Sequence, residues 1–216
     1  MKHAQFCQTI LLGLMTLLAR ATTAATLHVS VQNQQQNPLE YAVVYVNETV
    51  PLAATEAKMI DQVDKEFVPY VTAIQQGSAI NFPNNDNIRH QVYSFSQTRQ
   101  FEIPLYSGNP PRPVVFDETG VVAMACNIHD WMSAYVYVVA TDKYVVTNAE
   151  GQGVIADLPE GQYEILVWHP TAKDNVQATS QTVHIANQDQ SLGFTVTQKP
   201  VLRAWRAPVS AQRRGY

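Results

Sequence analysis

Three side chains that commonly bind metals lie on one short segment: Cys126, His129 and Met132. Apolar runs rich in β-branched and aromatic residues flank the segment at 120–125 and 133–140, and both have the length expected of buried strands. The three side chains should therefore lie on a turn held between two strands. A thiolate, two imidazoles and a weak axial methionine make up the ligand set of a trigonal copper site.

A second histidine, His90, follows a strand-like run and a turn-rich stretch upstream. Residues 77–86 read GSAINFPNND and resemble the G-x-x-V-x-F-x-N-x-D segment that precedes the first histidine ligand in cupredoxins, the small blue-copper electron carriers. The spacing Cys126-x2-His129-x2-Met132 resembles the ligand loop of the same family and is as short as that of amicyanin. The resemblance implies one type 1 copper bound by His90, Cys126, His129 and Met132.

The run 60–168 also looks like the bacterial cupredoxin-like proteins labelled methylamine utilization proteins. Zinc is the alternative metal, because two histidines and one cysteine leave an open fourth position like that of a catalytic zinc site. Copper is favoured because a thiolate and a thioether suit Cu(I). We expect no enzymatic activity, because the protein would fill all four coordination positions.

The ligands should be supported by neighbouring side chains. Cupredoxins commonly have Asn directly after the first histidine, where this chain has Gln91. An apolar face formed by Ile128 and Trp131 is the expected docking surface for a redox partner. Four polar residues are candidates to brace or tune the site, with ordinary turn chemistry as the alternative for each: Asp86, Gln91, Asn127 and Asp130.

The N-terminus has the features of a secretory signal. A weakly positive start precedes an apolar core at 9–19 and a small-residue stretch, so we expect cleavage near residue 25. Cleavage leaves 12 basic against 18 acidic side chains, which argues against nucleic acid as a partner, and it leaves Cys126 as the only cysteine. An exported chain with one thiol forms no internal disulfide, so the thiol is buried and inert, paired between chains or metal-bound. The position of His129 three residues away favours the metal-bound thiolate. We expect a periplasmic protein without stable membrane insertion.

Short strands separated by turns predict an all-β fold built of sandwiches. The resemblances imply a cupredoxin Greek-key β-sandwich joined to a second, small prealbumin-like β-sandwich. We expect a β-hairpin at 26–58, the copper domain at 59–140, a second sandwich at 141–198 and a basic, disordered tail at 199–216. The 141–198 segment resembles carboxypeptidase regulatory-like domains. The hairpin belongs either to that second sandwich or to an edge of the copper domain, and the contacts of Val43 and Tyr45 distinguish the two.

The sequence favours an exported one-electron carrier that exchanges electrons with a dehydrogenase or a cytochrome-like protein. Two alternatives stay open. The first is a copper storage or delivery protein, and the second is a β-sandwich module that binds a partner and holds metal incidentally.

Overall fold

The computed structural model describes residues 24–51, 56–110, 112–174 and 179–200. Within these ranges the chain forms 17 β-strands, which confirms the predicted all-β class. No helix in the described part of the chain is long and apolar enough to cross a membrane. The expected signal peptide, up to residue 23, and the basic tail from residue 201 lie outside the described residues.

The middle of the chain forms a sandwich around the metal-binding residues. Its main sheet has the order β6-β12-β11-β8-β9 and its smaller sheet the order β10-β7-β3, with a separate hairpin formed by β4 and β5. The strands of this sandwich are β3 (Lys58–Met59), β4 (Asp61–Val63), β5 (Glu66–Val68), β6 (Val71–Gln75), β7 (Ala79–Asn81), β8 (His90–Ser96), β9 (Arg99–Tyr106), β10 (Val114–Val115), β11 (Gly120–Ala125) and β12 (Ser133–Val139).

Alternation of side chains builds the core of this sandwich. On β11, Val122 and Met124 point inward and are buried, whereas Ala123 between them is exposed. They pack with Phe82 and Phe116, both 0% exposed, in the same core cluster. A shift of one residue would turn every inward side chain of β11 to the other face, so burial fixes its register. Cys126 and Met132 belong to this core as well.

The strands expected to form an N-terminal hairpin do not pair with each other, because they lie in two different sheets and each pairs with strands of the C-terminal part. In one sheet β1 lies between β14 and β17, and in the other β2 lies between β13 and β15, with β16 at the edge. Val43 pairs with Trp168 and Tyr45 with Leu166. The copper-site sandwich is thus inserted between strands of a second one. The strands of the second sandwich are β1 (Ala25–Asn33), β2 (Val43–Val46), β13 (Tyr144–Val146), β14 (Gln152–Leu158), β15 (Gly161–Trp168), β16 (Gln181–Ile185) and β17 (Gln190–Val196).

An aromatic cluster joins the two sandwiches. Trp168 of β15 lies against Tyr137 and Tyr135 of β12, with ring centroids 4.9 and 5.7 Å away. The hydroxyls of Tyr45 and Tyr137 are 2.9 Å apart and bond to each other. This contact covers the outer face of β12, so both faces of the strand are packed against other side chains. Such burial is consistent with the continuous hydrophobic run in its sequence.

The apolar run 67–74 does not form a single strand in the structure. Its hydrophobicity alone predicts one strand, but the chain forms β5 and β6 on either side of Pro69 and Tyr70. Proline has no backbone N–H to donate to a neighbouring strand. Pro69 therefore cannot complete the hydrogen-bond ladder, and the strand is interrupted there. Residues 61–63, not predicted as a strand, pair with β5 as β4.

We expect the buried His169 to make the fold sensitive to acid. Burial lowers the pKa of His169 despite the hydrogen bond that Nε2 donates to the Glu40 carbonyl. An unfolded histidine titrates near a pKa of about 6.5, so the unfolded chain binds more protons below that pH and the free energy of unfolding falls as pH falls. Urea unfolding at pH 7 and pH 5 should show that the free energy of unfolding decreases less between these pH values in His169→Gln than in wild type. The role would be contradicted if His169→Gln showed the same decrease as wild type, or if substitution of the exposed His184 by Gln reduced the decrease equally.

Candidate metal centre

The metal-binding residues lie together at one end of three neighbouring strands. His90 is the first residue of β8, Cys126 directly follows β11, and Met132 directly precedes β12. Ala125 pairs with Ser133 on β12 and with Tyr93 on β8, which holds the three strands side by side at this end. The loop between is closed by backbone hydrogen bonds from Cys126 N–H to the Met132 carbonyl at 3.0 Å and from Met132 N–H to the His129 carbonyl at 2.9 Å.

Three donor side chains converge at this point. One ligand atom from each of His90, Cys126 and His129 lies within 4.8 Å of the others. Cys126 Sγ is 3.8 Å from His90 Nδ1, and the two imidazole rings are 5.0 Å apart between centroids. His90 is 0% exposed, Cys126 4% and Met132 1%, so bulk water is largely excluded from the donors.

Asp86 fixes which nitrogen of His90 faces the cysteine. Its Oδ2 lies 2.7 Å from His90 Nε2. A carboxylate accepts hydrogen bonds and donates none, so the ring carries its proton at Nε2. Nδ1, on the other side of the ring, is the nitrogen directed at the sulfur.

His90 and Cys126 shift the pKa values of each other. Burial alone raises the pKa of Cys126, but hydrogen bonds from His90 and from the backbone N–H groups of Gln91 and Ile128 outweigh it and lower the pKa. Burial alone lowers the pKa of His90, but the hydrogen bonds with Cys126 and Asp86 outweigh it and raise the pKa. This pairing favours the thiolate, which is the form of cysteine that binds metals.

Burial also lowers the pKa of His129, and the positive charges of His90 and Lys65 lower it further, against a smaller opposite effect of Asp86. This direction favours the neutral ring, which is the form of histidine that binds metals. His129 Nδ1 is buried and has no hydrogen-bond partner, which is costly unless the atom binds something else. A buried lone pair beside a thiolate and a second imidazole fits a bound metal ion.

This donor set fits a single type 1 copper. The site brings together one cysteine sulfur and two imidazoles, and the buried thioether of Met132 belongs to the same core cluster as Cys126. His90 Nδ1, Cys126 Sγ and His129 Nδ1 would bind the ion, with Met132 as a weaker donor. All four residues named from the sequence are thus found at one end of one sandwich.

The residues expected to support or extend the site have different positions. The Asp86 carboxylate contacts a ligand directly, whereas the Gln91 side chain turns away and donates to Glu102 at 2.7 Å. Gln91 acts on the sulfur through its backbone N–H instead. Asn127 and Asp130 are exposed on the loop.

Ile128 is 49% exposed, and the Trp131 ring lies 5.2 Å from that of His129. These two residues, the predicted docking face, therefore lie beside the ligand that is most accessible from solvent. Arg89, directly before the first histidine, is exposed.

Sequence reasoning missed the turn between β4 and β5. The backbone N–H groups of Asp64 and Lys65 donate to the Asp86 carboxylate at 3.1 and 2.8 Å. Both residues have positive φ, 53° and 62°, as in the tight two-residue turns of hairpins. The usual signal for such a turn, Asn-Gly or Asp-Gly, is absent, so the short hairpin was not evident in the sequence.

Comparisons with known proteins return structural matches only. No family model matches the chain, and no curated protein matches it. A copper-containing nitrite reductase from Thermus scotoductus matches at 20% identity and TM-score 0.37, covering 43% of this chain and 25% of the reductase. A purple cupredoxin from Nitrosopumilus maritimus matches at 21% identity and TM-score 0.35, covering 38% of this chain and 99% of the cupredoxin.

A mutant amicyanin in its reduced Cu(I) form matches at 16% identity and TM-score 0.35, covering 44% of this chain and 98% of the amicyanin. These structural neighbours are cupredoxins or contain copper, but such low scores over less than half the chain carry no functional argument. These matches do not test the resemblance to methylamine utilization proteins or to carboxypeptidase regulatory-like domains, and both resemblances stay predictions. The donor geometry is therefore the basis for assigning a function.

Proposed function

We propose that this protein is an exported, periplasmic one-electron carrier with one type 1 copper. The observation that carries the proposal is the convergence of His90, Cys126 and His129 donor atoms within 4.8 Å at a buried end of the sandwich. Copper in such a ligand set exchanges one electron between Cu(I) and Cu(II). The contribution of the protein is to hold the donors in one arrangement.

The strands and hydrogen bonds around the site keep its donors from moving. The thiolate of Cys126 accepts backbone N–H groups from Gln91 and Ile128, and the His90 ring is held from behind by Asp86. Donors that are fixed by packing and by hydrogen bonds need little rearrangement when charge changes. This rigidity supports an electron carrier more than a protein that releases its metal readily.

The same coordination argues against substrate chemistry. With the three converging donors and the buried Met132, the protein would supply all four ligands, whereas catalytic metal sites keep a position open for water or substrate. We therefore assign the protein a role in electron transfer without catalysis.

Electrons should pass through the edge of His129 to a partner docked on Ile128 and Trp131. Ile128 is 49% exposed beside this ligand, and apolar, exposed residues next to a functional site suit a transient protein contact. The partner would be a redox protein, such as a dehydrogenase or a cytochrome.

Ile128→Asp should slow electron exchange without changing the copper site. A buried charge in a contact between two copies opposes their approach, so we expect the electron self-exchange rate to fall about tenfold or more. The rate is measured by NMR line broadening in mixtures of Cu(I) and Cu(II) protein. Val154→Asp is the matched control, because Val154 is also 49% exposed but lies on β14 of the other sandwich. Equal slowing in both variants, or none in Ile128→Asp, would contradict the docking face.

A further inference from the structure

The carboxylate of Asp86 joins the first histidine ligand to a hairpin turn that lies 21 residues upstream of it at Lys65. Its Oδ2 accepts from His90 Nε2 at 2.7 Å and from the backbone N–H of Lys65 at 2.8 Å. Its Oδ1 accepts from the backbone N–H of Asp64 at 3.1 Å. One side chain therefore satisfies a ring donor and two consecutive backbone donors.

Asp86 is itself held in place. Its backbone N–H donates to Asn84 Oδ1 at 3.0 Å. Asn84 is 3% exposed, and its Nδ2 donates to the carbonyls of Ile88 at 3.0 Å and Tyr106 at 2.7 Å. The carboxylate thus extends from a loop tied to the end of β9, and it is not free to swing away from the histidine.

The turn that Asp86 binds has a conformation that needs support. Asp64 and Lys65 both have positive φ, which non-glycine residues adopt infrequently. Their two N–H groups meet one carboxylate, so the acceptor that orients His90 also stabilises the turn.

We infer that Asp86 is a positioning residue for the copper site, which sets the ring orientation and tautomer of His90 and makes the β4–β5 turn part of the ligand support. Its contact at Nε2 leaves Nδ1, which lies 3.8 Å from Cys126 Sγ, as the nitrogen available to a metal. Outer hydrogen bonds of this kind orient ligands and raise their basicity. The inference rests on the proposed function, because it takes the metal to bind at Nδ1.

Metal affinity tests this role first. Competition with a chromogenic Cu(I) chelator should show about 10- to 100-fold weaker binding for Asp86→Ala, the usual effect of losing such a partner. Asp86→Asn should give an intermediate loss, because the amide oxygen can still accept from His90 Nε2 and the Lys65 N–H, whereas the NH2 group replaces the oxygen that accepts from the Asp64 N–H. Glu66→Gln removes the same charge next to the turn and should bind Cu(I) within about twofold of wild type. An equal loss in Glu66→Gln would overturn the inference.

The metal-free full chain gives a second readout that is independent of copper chemistry. Nitrogen-15 NMR of the histidine rings should show a slowly exchanging His90 Nε2 proton in wild type and a rapidly exchanging one in Asp86→Ala, with faster exchange of the Lys65 amide as well. A wild-type spectrum in which His90 Nε2 carries no proton would overturn the inference even if the alanine variant fails to fold. So would unchanged exchange in a folded Asp86→Ala, or weaker Cu(I) binding without a change at the ring.

The two claims can fail separately. A wild-type protein that gives no thiolate-to-copper absorption, but whose His90 proton depends on Asp86, would remove the carrier role and keep the positioning role. A blue wild-type protein whose ring proton and Cu(I) affinity are indifferent to Asp86 would do the reverse.

Discussion

Cys126→Ser should abolish the intense thiolate-to-copper absorption and weaken Cu(I) binding by at least about 100-fold. The thiolate is the only sulfur anion among the donors, and a serine hydroxyl neither ionises near neutral pH nor suits Cu(I). Absorption spectroscopy after loading with Cu(II), followed by chelator competition for Cu(I), measures both effects.

The control for Cys126→Ser is Met124→Leu. Met124 is 1% exposed and lies two residues upstream on β11, and this change nearly conserves volume, so the fold and colour should be retained. A Cys126→Ser variant that remains intensely coloured would show that the thiolate is not the copper ligand. Equal loss of colour in Met124→Leu would show that the effect is one of core packing.

Trp168→Ala should cost about 3 kcal/mol in the free energy of unfolding, the low end of the range for removing a core aromatic side chain, because Trp168 is only partly buried. The indole lies against Tyr135 and Tyr137 at the contact between the two sandwiches, so its loss leaves a void on β12. Urea unfolding followed by circular dichroism measures the change.

Phe95→Ala is the matched control for the aromatic cluster. Phe95 is 80% exposed, so its removal should change stability by no more than about 0.5 kcal/mol. If Trp168→Ala also fell within that limit, the aromatic cluster would not be a significant source of stability. A large loss of copper absorption in folded Trp168→Ala would contradict the separation of this contact from the metal site.

The metal-binding residues could be predicted from the sequence because three of them lie close together along the chain. Cys126, His129 and Met132 fall on one turn between two apolar runs, and a turn of that length between paired strands brings its side chains together. His90 follows a segment with turn chemistry and begins its own strand. In the structure these strands lie side by side in one sheet, so the residues at the same end of the strands are close together in space.

The contacts that support the site could not be predicted in the same way, because they join segments that are distant in the sequence. Nothing near Asp64 or Lys65 indicates that their backbone N–H groups meet a carboxylate 22 or 21 residues later. The run at 67–74 looked like one strand because hydrophobicity alone does not register the break that forms at Pro69. Likewise, apolar residues on both faces of β12 signal burial on both sides, but they do not say that Trp168 covers one of them.

The most direct test of the carrier assignment is the absorption and EPR spectrum of the full mature chain loaded with Cu(II) and then cycled once through reduction and reoxidation. We predict one copper per chain, an intense thiolate-to-copper band, a narrow copper hyperfine splitting, and loss and full return of both signals with one electron. A colourless complex with the EPR signal of tetragonal copper, or displacement of copper by an equal concentration of Zn²⁺, would contradict the assignment.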